Sequence, residues 1–287
     1  MKRELSILCL FMVALIFGVS YVFQSAVSSH VDPFTLNAIR YIAAGLIMLP
    51  SLLIKDGCDN RQLLKSGLLL GVIVFLAPNF QQAAMSSTSV GKAAFISTMY
   101  IVMVPLLAFL FYRKKMTPKV IVSLILAVIG LYVLCDLKIN DLSFRTHDIY
   151  LMMTALLYAM QMVFIERYVD QVHPLKLAAV SDLVGGLLSL ISALIYESVP
   201  LENLKAISGS LVFMTLVATV LGYSLQFIGQ KGVDSTTASL IMSLESVFSV
   251  ASGYLFLNQI LTVREIVGCV ILFAAVVICQ LPERERK

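Results

Sequence analysis

The chain has 287 residues, of which 59% are hydrophobic and 13% are charged, and its mean hydropathy is +0.93. These values exclude a soluble globular domain of ordinary composition and indicate an integral membrane protein. The formal net charge of +4 does not indicate nucleic-acid binding, because the basic residues lie in short segments between apolar runs and form no stripe with interleaved aromatics. We therefore expect a lipid bilayer around the protein and no nucleic-acid partner.

Ten apolar runs follow one another along the chain, separated by short polar connections. They are residues 5–27, 34–54, 64–85, 93–111, 118–135, 149–164, 175–196, 207–229, 236–257 and 266–281. Most can cross a hydrocarbon layer of ~30 Å as a helix rising ~1.5 Å per residue. The first run is longer than the apolar part of a signal peptide, so it is predicted to be the first membrane helix. The sequence thus predicts an all-α integral membrane protein with ten transmembrane helices.

The distribution of lysine and arginine predicts the orientation, because cytoplasmic connections carry an excess of these residues. With the N-terminus inside, 15 of the 21 basic residues lie on the inner side, five lie on the outer side, and Arg40 lies within the second span. Both termini are therefore predicted to be cytoplasmic. No connection exceeds roughly a dozen residues, so no separate soluble catalytic or binding domain is expected.

An internal repeat relates the two halves of the chain. Residues 31–40, VDPFTLNAIR, match residues 172–181, VHPLKLAAVS, at an offset of 141, and the match resumes at an offset of 145, where Gln81 aligns with Gln226 and Thr117 with Thr262. Each half holds five spans, and an odd number inverts the second half relative to the first. We predict a first five-helix repeat over 1–140 and a second, inverted repeat over 141–287, with a substrate site near the midplane between them.

Short motifs in a fixed order carry a family resemblance over nearly the whole chain. They are Phe17-Gly18-Val19-Ser20, Asp32-Pro33 with Arg40, Val104-Pro105, Ser243-Leu244-Glu245 and Leu257-Asn258-Gln259. In this order they resemble the ten-helix drug/metabolite transporter superfamily, specifically proteins with two EamA-type repeats. The chain departs from the pattern at Lys114 and Gln259, where the family commonly has an acidic residue, and at Ser246, where it often has proline.

The resemblance implies what the protein carries and where it resides. Members move amino acids, other metabolites, drugs or nucleotide sugars, so a small-molecule substrate is expected. The expected location is the cell membrane, as a multi-pass protein of the plasma or inner membrane of a bacterium. A monomer or a homodimer is expected.

Two ionisable residues lie at depth within predicted spans, where charge is costly and usually functional. Glu245, near the middle of the ninth run, lies on the flank of a stripe of small residues that lets another helix approach. It is predicted to exchange a proton or to meet a cationic substrate group; the alternative is an acid held permanently by a hydroxyl or by Arg40. Arg40 is predicted either to recognise an anionic group or to tie helices together. Asp182 is expected to be structural.

Amide and aromatic side chains are predicted to complete the site. Segments 78–82 and 222–226 occupy corresponding positions in the two halves, and we expect them to interrupt their helices at Pro78 and Gly222 and to line a polar cavity. For any single glutamine, hydrogen bonding between helices is the alternative. The predicted substrate-binding residues are Arg40, Asn79, Gln81, Gln82, Ser97, Tyr100, Tyr158, Gln161, Tyr223, Gln226 and Glu245.

No motif indicates catalysis, a cofactor or a metal. The three histidines lie near helix ends without paired ligand spacing, and four of the five cysteines lie within apolar runs without CxxC spacing. No Walker or dinucleotide motif is present, so this chain alone is not expected to drive transport with ATP. The cysteines are Cys9, Cys58, Cys135, Cys269 and Cys279.

These observations predict a secondary active transporter, an exporter of small polar or amphipathic metabolites, that alternates access between its halves with protons as a possible coupling ion. Two alternatives remain at this point. One is an intramembrane enzyme acting on lipid-linked substrates, which should show clustered acids or histidines at one membrane face. The other is an accessory membrane subunit, which would need neither Arg40 nor Glu245 at depth.

Overall fold

The computed structural model describes residues 2–55, 57, 59–85, 87–88, 90–114, 116–134, 146–198, 204, 207–257 and 262–281, without the side chains of 90–92 and 257. Several sequence predictions fall outside these residues. They concern the boundary between 140 and 141, Cys58, Cys135, Asn258 and Gln259.

Helices make up nearly all of the described chain. They are α1 (Arg3–Val27), α2 (Pro33–Met48, continued by a 3₁₀ turn at Leu49–Leu53), α3 (Asn60–Met85), α4 in two segments (Val90–Thr98 and Tyr100–Tyr112), α5 (Pro118–Leu134), α6 (Thr146–Tyr168), α7 (Pro174–Tyr196), α8 (Ser208–Gln230), α9 in two segments (Ser235–Met242 and Glu245–Leu257) and α10 (Val263–Gln280).

The predicted all-helical membrane architecture is confirmed at the level of length and composition. Within the described ranges, nine helical spans have at least 18 residues and are apolar enough to cross a membrane. The remaining one, α5, is apolar and has 17 residues, the lower end of what a crossing needs. The ten predicted apolar runs therefore correspond to the ten helices in chain order.

Proline and capping side chains determine where several helices begin. Pro33 and Pro174 occupy the first turn of α2 and α7, where the missing N–H costs nothing. At the start of α2, the cap comes from the far end of α7: Glu197 accepts hydrogen bonds from the backbone N–H of Phe34 at 2.9 Å and of Thr35 at 2.7 Å. This carboxylate therefore joins one half of the chain to the other.

Two helices are broken in the middle, and the breaks lie at equivalent positions of the internal repeat. In α4 the break is at Met99, and in α9 it is at Ser243 and Leu244; the offset of 145 places Met99 on Leu244. Consequently Tyr100 and Glu245 each begin the second segment of their helix. The backbone stays in the right-handed helical region at Met99 and at Ser243, so each break interrupts the regular hydrogen bonding of the helix.

The prediction that the helices break at Pro78 and Gly222 is wrong. Helix α3 continues through Pro78, and the side chain of Asn79 donates to the carbonyl oxygen of Phe75 at 2.6 Å, adding to the backbone bonding beside the proline. Gly222 lies in a π-helical stretch, Phe213–Tyr223, which widens α8 without interrupting it.

Helix packing follows a pattern that is unchanged when the two halves are exchanged. Helix α2 packs on α7, and α5 packs on α10, so equivalent helices meet each other. Helix α1 packs on α8 and α9, and its counterpart α6 packs on α3 and α4. The centre of the bundle is therefore formed by both halves together.

Small residues allow these helices to approach closely, as expected where lipid supplies little hydrophobic driving force. A Cβ placed on Gly268 of α10 would lie 2.3 Å from the backbone N of Leu134 in α5. Gly67 and Gly71, a GxxxG pair in α3, face Val180 and Val184 of α7 in the same way. The GxxxG pair thus serves packing within the chain.

Candidate functional site

A polar cavity lies where the two halves meet, and side chains from seven helices line it. It has a volume of about 40 Å³, room for roughly three waters. Its lining comprises Phe17, Ser20, Tyr21, Gln24, Arg40, Gln81, Tyr100, Tyr158, Gln161, Met162, Tyr223, Gln226, Met242 and Glu245.

The carboxylate of Glu245 faces this cavity and is held by hydroxyl groups. Its Oε1 accepts hydrogen bonds from Tyr100 OH at 3.1 Å and from Thr98 Oγ1 at 3.3 Å. Both donors flank the break in α4, so the two broken helices meet through this acid. As the first residue of its helical segment, Glu245 also lies where the helix dipole favours negative charge.

Arg40 reaches the cavity from α2 and is anchored on the π-helical stretch of α8. Its Nε donates to Thr219 Oγ1 at 2.5 Å, and that hydroxyl donates in turn to the carbonyl oxygen of Met214 at 2.8 Å. The guanidinium also lies over the ring of Tyr41, 4.9 Å from its centroid. Among the described residues, neither Arg40 nor Glu245 has an ion-pair partner within 4 Å, so the alternative in which they pair with each other is not what the structure has.

A chain of hydrogen bonds orders the aromatic wall of the cavity. Gln81 Nε2 donates to Tyr21 OH at 3.0 Å, and Tyr158 OH donates to Gln81 Oε1 at 2.8 Å. On the side of Arg40, the hydroxyls of Tyr41 and Tyr223 are 3.1 Å apart. These bonds fix the tyrosine rings of four helices around the polar centre.

Two further amides in the lining lack such partners. Gln161 and Gln226 are each 2% exposed, and neither Nε2 of Gln161 nor Oε1 of Gln226 has a hydrogen-bond partner. Buried polar groups are bonded in the great majority of cases, so an unpaired one calls for a reason.

Eight of the eleven predicted site residues line the cavity, and three do not. Asn79 instead accepts a hydrogen bond from Asn37 Nδ2 at 2.9 Å and donates to Ser189 Oγ at 3.0 Å. Gln82 donates to the backbone carbonyl of Gln24 at 3.2 Å. Ser97 is fully buried outside the lining. Asn79 and Gln82 thus follow the alternative of hydrogen bonding between helices.

Asn79 lies beside a second cavity, which has a volume of about 310 Å³ between α2, α3, α6 and the end of α7. Four of its nine lining residues are aromatic: Phe34, Phe75, Phe80 and Tyr150. Although it is larger, its carboxylate and amide groups, those of Glu197 and Asn79, are already engaged in hydrogen bonds within the protein. The central cavity, with its charged and amide groups from both halves, is the candidate site.

The sequence reasoning missed six lining residues, four of which share one face of α1. Phe17, Tyr21 and Gln24 recur at the spacing of a helical turn, and Ser20 receives a hydrogen bond from Gln24 at 3.1 Å. This periodicity was a usable signal, because polar side chains within an otherwise apolar span have to face protein or water. The other two, Met162 and Met242, carry no such signal.

Asp182 lies outside the lining in the α2–α7 contact. It is 1% exposed, and neither of its carboxylate oxygens has a hydrogen-bond partner. The charged side chain that interacts electrostatically with the Asp182 carboxylate is Arg40. In the described part of the chain, no group of three or more His, Cys, Asp or Glu residues is placed to hold a metal ion.

Comparison with known proteins gives consistent matches along the chain. The model of the EamA-like transporter family matches residues 4–135 and again residues 145–280. An uncharacterized transporter of Archaeoglobus fulgidus is 28% identical over 280 residues, covering 98% of this chain and 87% of that protein. The uncharacterized transporter YyaM of Bacillus subtilis is 24% identical over 260 residues, covering 86% and 84%.

A solved crystal structure is similar with a TM-score of 0.78 over 98% of this chain and 97% of that chain, at 12% identity, and it shows a shared fold alone. The two matches to the family model together span most of the sequence and fall one on each half. This chain therefore belongs to the EamA-like transporter family and is a multi-pass membrane transporter.

Proposed function

We propose that the protein is a secondary active transporter that exports small polar or amphipathic metabolites, such as amino acids or drugs, through the central cavity. The observation that carries this proposal is the joint lining of one buried polar cavity by both halves of the chain, with both Arg40 and Glu245 in the lining. A charged group at this depth is costly unless it meets a substrate, an ion or a partner. The export direction is inferred from the family resemblance.

Alternating access follows from the size of the site. A cavity of about 40 Å³ holds roughly three waters by this measure, which is less than a metabolite of amino-acid size requires. The halves have to move apart on one side of the membrane to admit a substrate and close again before the other side opens. The equivalent helix breaks at Met99 and Leu244 are suitable points for this movement, because the regular hydrogen bonding of the helix is already interrupted there.

We also propose that the repeats, residues 1–140 and 141–287, are inverted relative to each other and that both termini are cytoplasmic. The exchange-symmetric packing of α2 on α7 and of α5 on α10 supports this arrangement. The excess of lysine and arginine on the inner side supports the orientation.

Proton coupling through Glu245 is the third part of the proposal. Its carboxylate is buried, faces the cavity and is bonded by two hydroxyls that can serve either protonation state. Burial favours the neutral form, and a cationic substrate group favours the charged form. Substrate and proton would therefore compete at one acid.

Thermal shift followed by flux measurement tests the proposal. A panel of metabolites is screened on purified protein, where a ligand of the native state raises the melting temperature, and the hits are assayed in proteoliposomes. We expect at least one hit to be transported and its flux to fall sharply in the double variant Arg40→Gln, Glu245→Gln. A panel in which hits bind but none is moved would contradict the assignment of transport to this cavity.

A further inference from the structure

The two unpaired amides indicate what kind of chemical group the cavity receives. Gln161 in α6 and Gln226 in α8 line the same cavity, are each 2% exposed, and leave Nε2 and Oε1, respectively, without a partner. Helices α6 and α8 lie side by side here, because Gln230, one turn after Gln226, donates to the carbonyl oxygen of Met162 at 3.1 Å. The two amides therefore belong to one side of the cavity.

Other buried amides of the bundle do have hydrogen-bond partners for their side-chain N–H groups. Gln24, Gln81 and Gln82 are also buried, and each donates its side-chain N–H to a described acceptor. Gln81 is engaged at both ends of its amide, between Tyr21 and Tyr158. Gln230 and Gln280 also have an unpaired amide atom, but they lie outside the lining; among the described lining amides, Gln161 and Gln226 are the two with an unpaired atom.

From this geometry we propose that Gln161 and Gln226 form a subsite for a neutral group with both a hydrogen-bond donor and an acceptor, for which a carboxamide is the best match, on a substrate that also carries charged groups. An amide presents a donor and an acceptor in either orientation of its side chain, so the match does not depend on which atom is N and which is O. The proposal rests on the proposed transport function, because it assigns selectivity to the same cavity.

The physical basis is the cost of leaving these amides unpaired. Both unpaired atoms are closed to water in this conformation, and a carboxamide that enters when the cavity widens would supply both missing bonds. An apolar group of the same size would supply neither. Sites built to hydrogen-bond a substrate reject analogues that lack the bonding group far more strongly than apolar pockets reject a missing methylene.

L-Glutamine and L-methionine are suitable probes, because they share the α-amino and carboxylate groups and have side chains of similar length. Glutamine should raise the melting temperature at a concentration at least about tenfold lower than methionine does. Equal responses, or a response to methionine alone, would overturn the subsite.

The variants Gln161→Met and Gln226→Met separate a binding role from a structural one. Each replaces an unpaired buried amide with an apolar side chain of similar size, so the melting temperature without ligand should be unchanged or higher. The preference for glutamine over methionine should fall about tenfold or more. Gln82→Met is the matched control: it removes an amide that is bonded to Gln24, so it should lower the melting temperature and keep the preference.

A fall in melting temperature at Gln161→Met and Gln226→Met as large as in the control would identify the two amides as structural and overturn the subsite. Flux measurement then separates this proposal from the transport function. Glutamine that stabilises the protein selectively but is moved neither alone nor with other metabolites would contradict transport and leave the subsite standing. Flux of other metabolites without any preference for glutamine would leave transport standing and refute the subsite.

Discussion

At the scale of single residues, the hydroxyl groups around Glu245 make its protonation testable without disturbing the fold. Glu245→Gln keeps an oxygen that can accept hydrogen bonds from Tyr100 and Thr98, so the variant should insert and fold normally. If the acid exchanges a proton, flux in proteoliposomes should lose its dependence on an imposed pH gradient. Glu245→Asp should retain part of that dependence, because the acid remains but its reach is shorter.

A Glu245→Gln variant that transports at the normal rate with unchanged gradient dependence would reduce Glu245 to a structural hydrogen-bond acceptor. Asp182 would then be the next acid to test, since it is also buried within a span and is acted on by Arg40.

Arg40 allows a second prediction at this scale, because its Nε is bonded to Thr219 and its remaining donors can serve a substrate anion. Glutaminamide is L-glutamine without the carboxylate. Arg40→Gln should lower the ratio of the affinities for L-glutamine and glutaminamide by about 10- to 100-fold, which corresponds to the loss of one charged hydrogen bond. Melting temperatures measured against ligand concentration would give both affinities.

Thr219→Val is the matched control for Arg40. It removes the anchor but keeps the charge, so glutamine should bind more weakly while the preference over glutaminamide persists. An unchanged preference in Arg40→Gln would show that this arginine ties α2 to α8 and does not contact the substrate.

At the scale of helices, the contact between α5 and α10 depends on the absence of a side chain at Gly268. A Cβ there would lie 2.3 Å from the backbone N and 2.5 Å from the Cα of Leu134, and a backbone cannot move aside as a flexible side chain can. Gly268→Ala should therefore force the helices apart at a cost of about 1–3 kcal/mol. We expect a fall in melting temperature of roughly 2–10 °C in detergent.

Gly209→Ala is the control, since a Cβ at Gly209 meets nothing within 4 Å. It should leave the melting temperature unchanged or slightly higher, because alanine favours helix more than glycine does. Equal melting temperatures for the two variants would mean that α5 and α10 are less tightly joined than these distances require.

Sequence patterns predicted the spans well, but they did not predict where helices break. Apolar runs report length and composition directly, and for that reason the ten runs match the ten helices. The breaks at Met99 and at Ser243 and Leu244 involve neither glycine nor proline. They lie where Thr98 and Tyr100 of α4 bond to Glu245 of α9, a contact that no local pattern records. Pro78, a strong local signal, is instead accommodated within α3.

Part of the site could be predicted for the same reason, and part could not. Arg40 and Glu245 can be identified as site candidates from the sequence alone, because they lie deep within predicted spans. Direction around a helix is harder to predict: successive residues are about 100° apart, so Asn79, Gln81 and Gln82 cannot all face one cavity. Only Gln81 does.

At the scale of the whole molecule, the halves are equivalent in packing but not in chemistry. The offset of 145 pairs Tyr100 with Glu245, and the structure joins these two residues by a hydrogen bond of 3.1 Å at the meeting point of the broken helices. A pair of equivalent positions thus carries an acid on one side and its hydrogen-bond donor on the other. Movement of one half against the other would change this bond directly, so the proton exchange proposed for Glu245 would be coupled to the conformation of the bundle.

The orientation of the whole bundle gives the last prediction, which single cysteines can test in a cysteine-free background. Ser29, between α1 and α2, and Asp170, between α6 and α7, are both exposed in short connections. If both termini are cytoplasmic, Ser29 faces outward and Asp170 faces inward, because one span precedes Ser29 and six precede Asp170. Ser29→Cys should react with an impermeant maleimide added to right-side-out vesicles, and Asp170→Cys should react only after permeabilisation.

The reverse pattern would place both termini outside. Labelling of both cysteines from outside would require an even number of spans between them, and the inverted repeat, which places five spans there, could not then be retained.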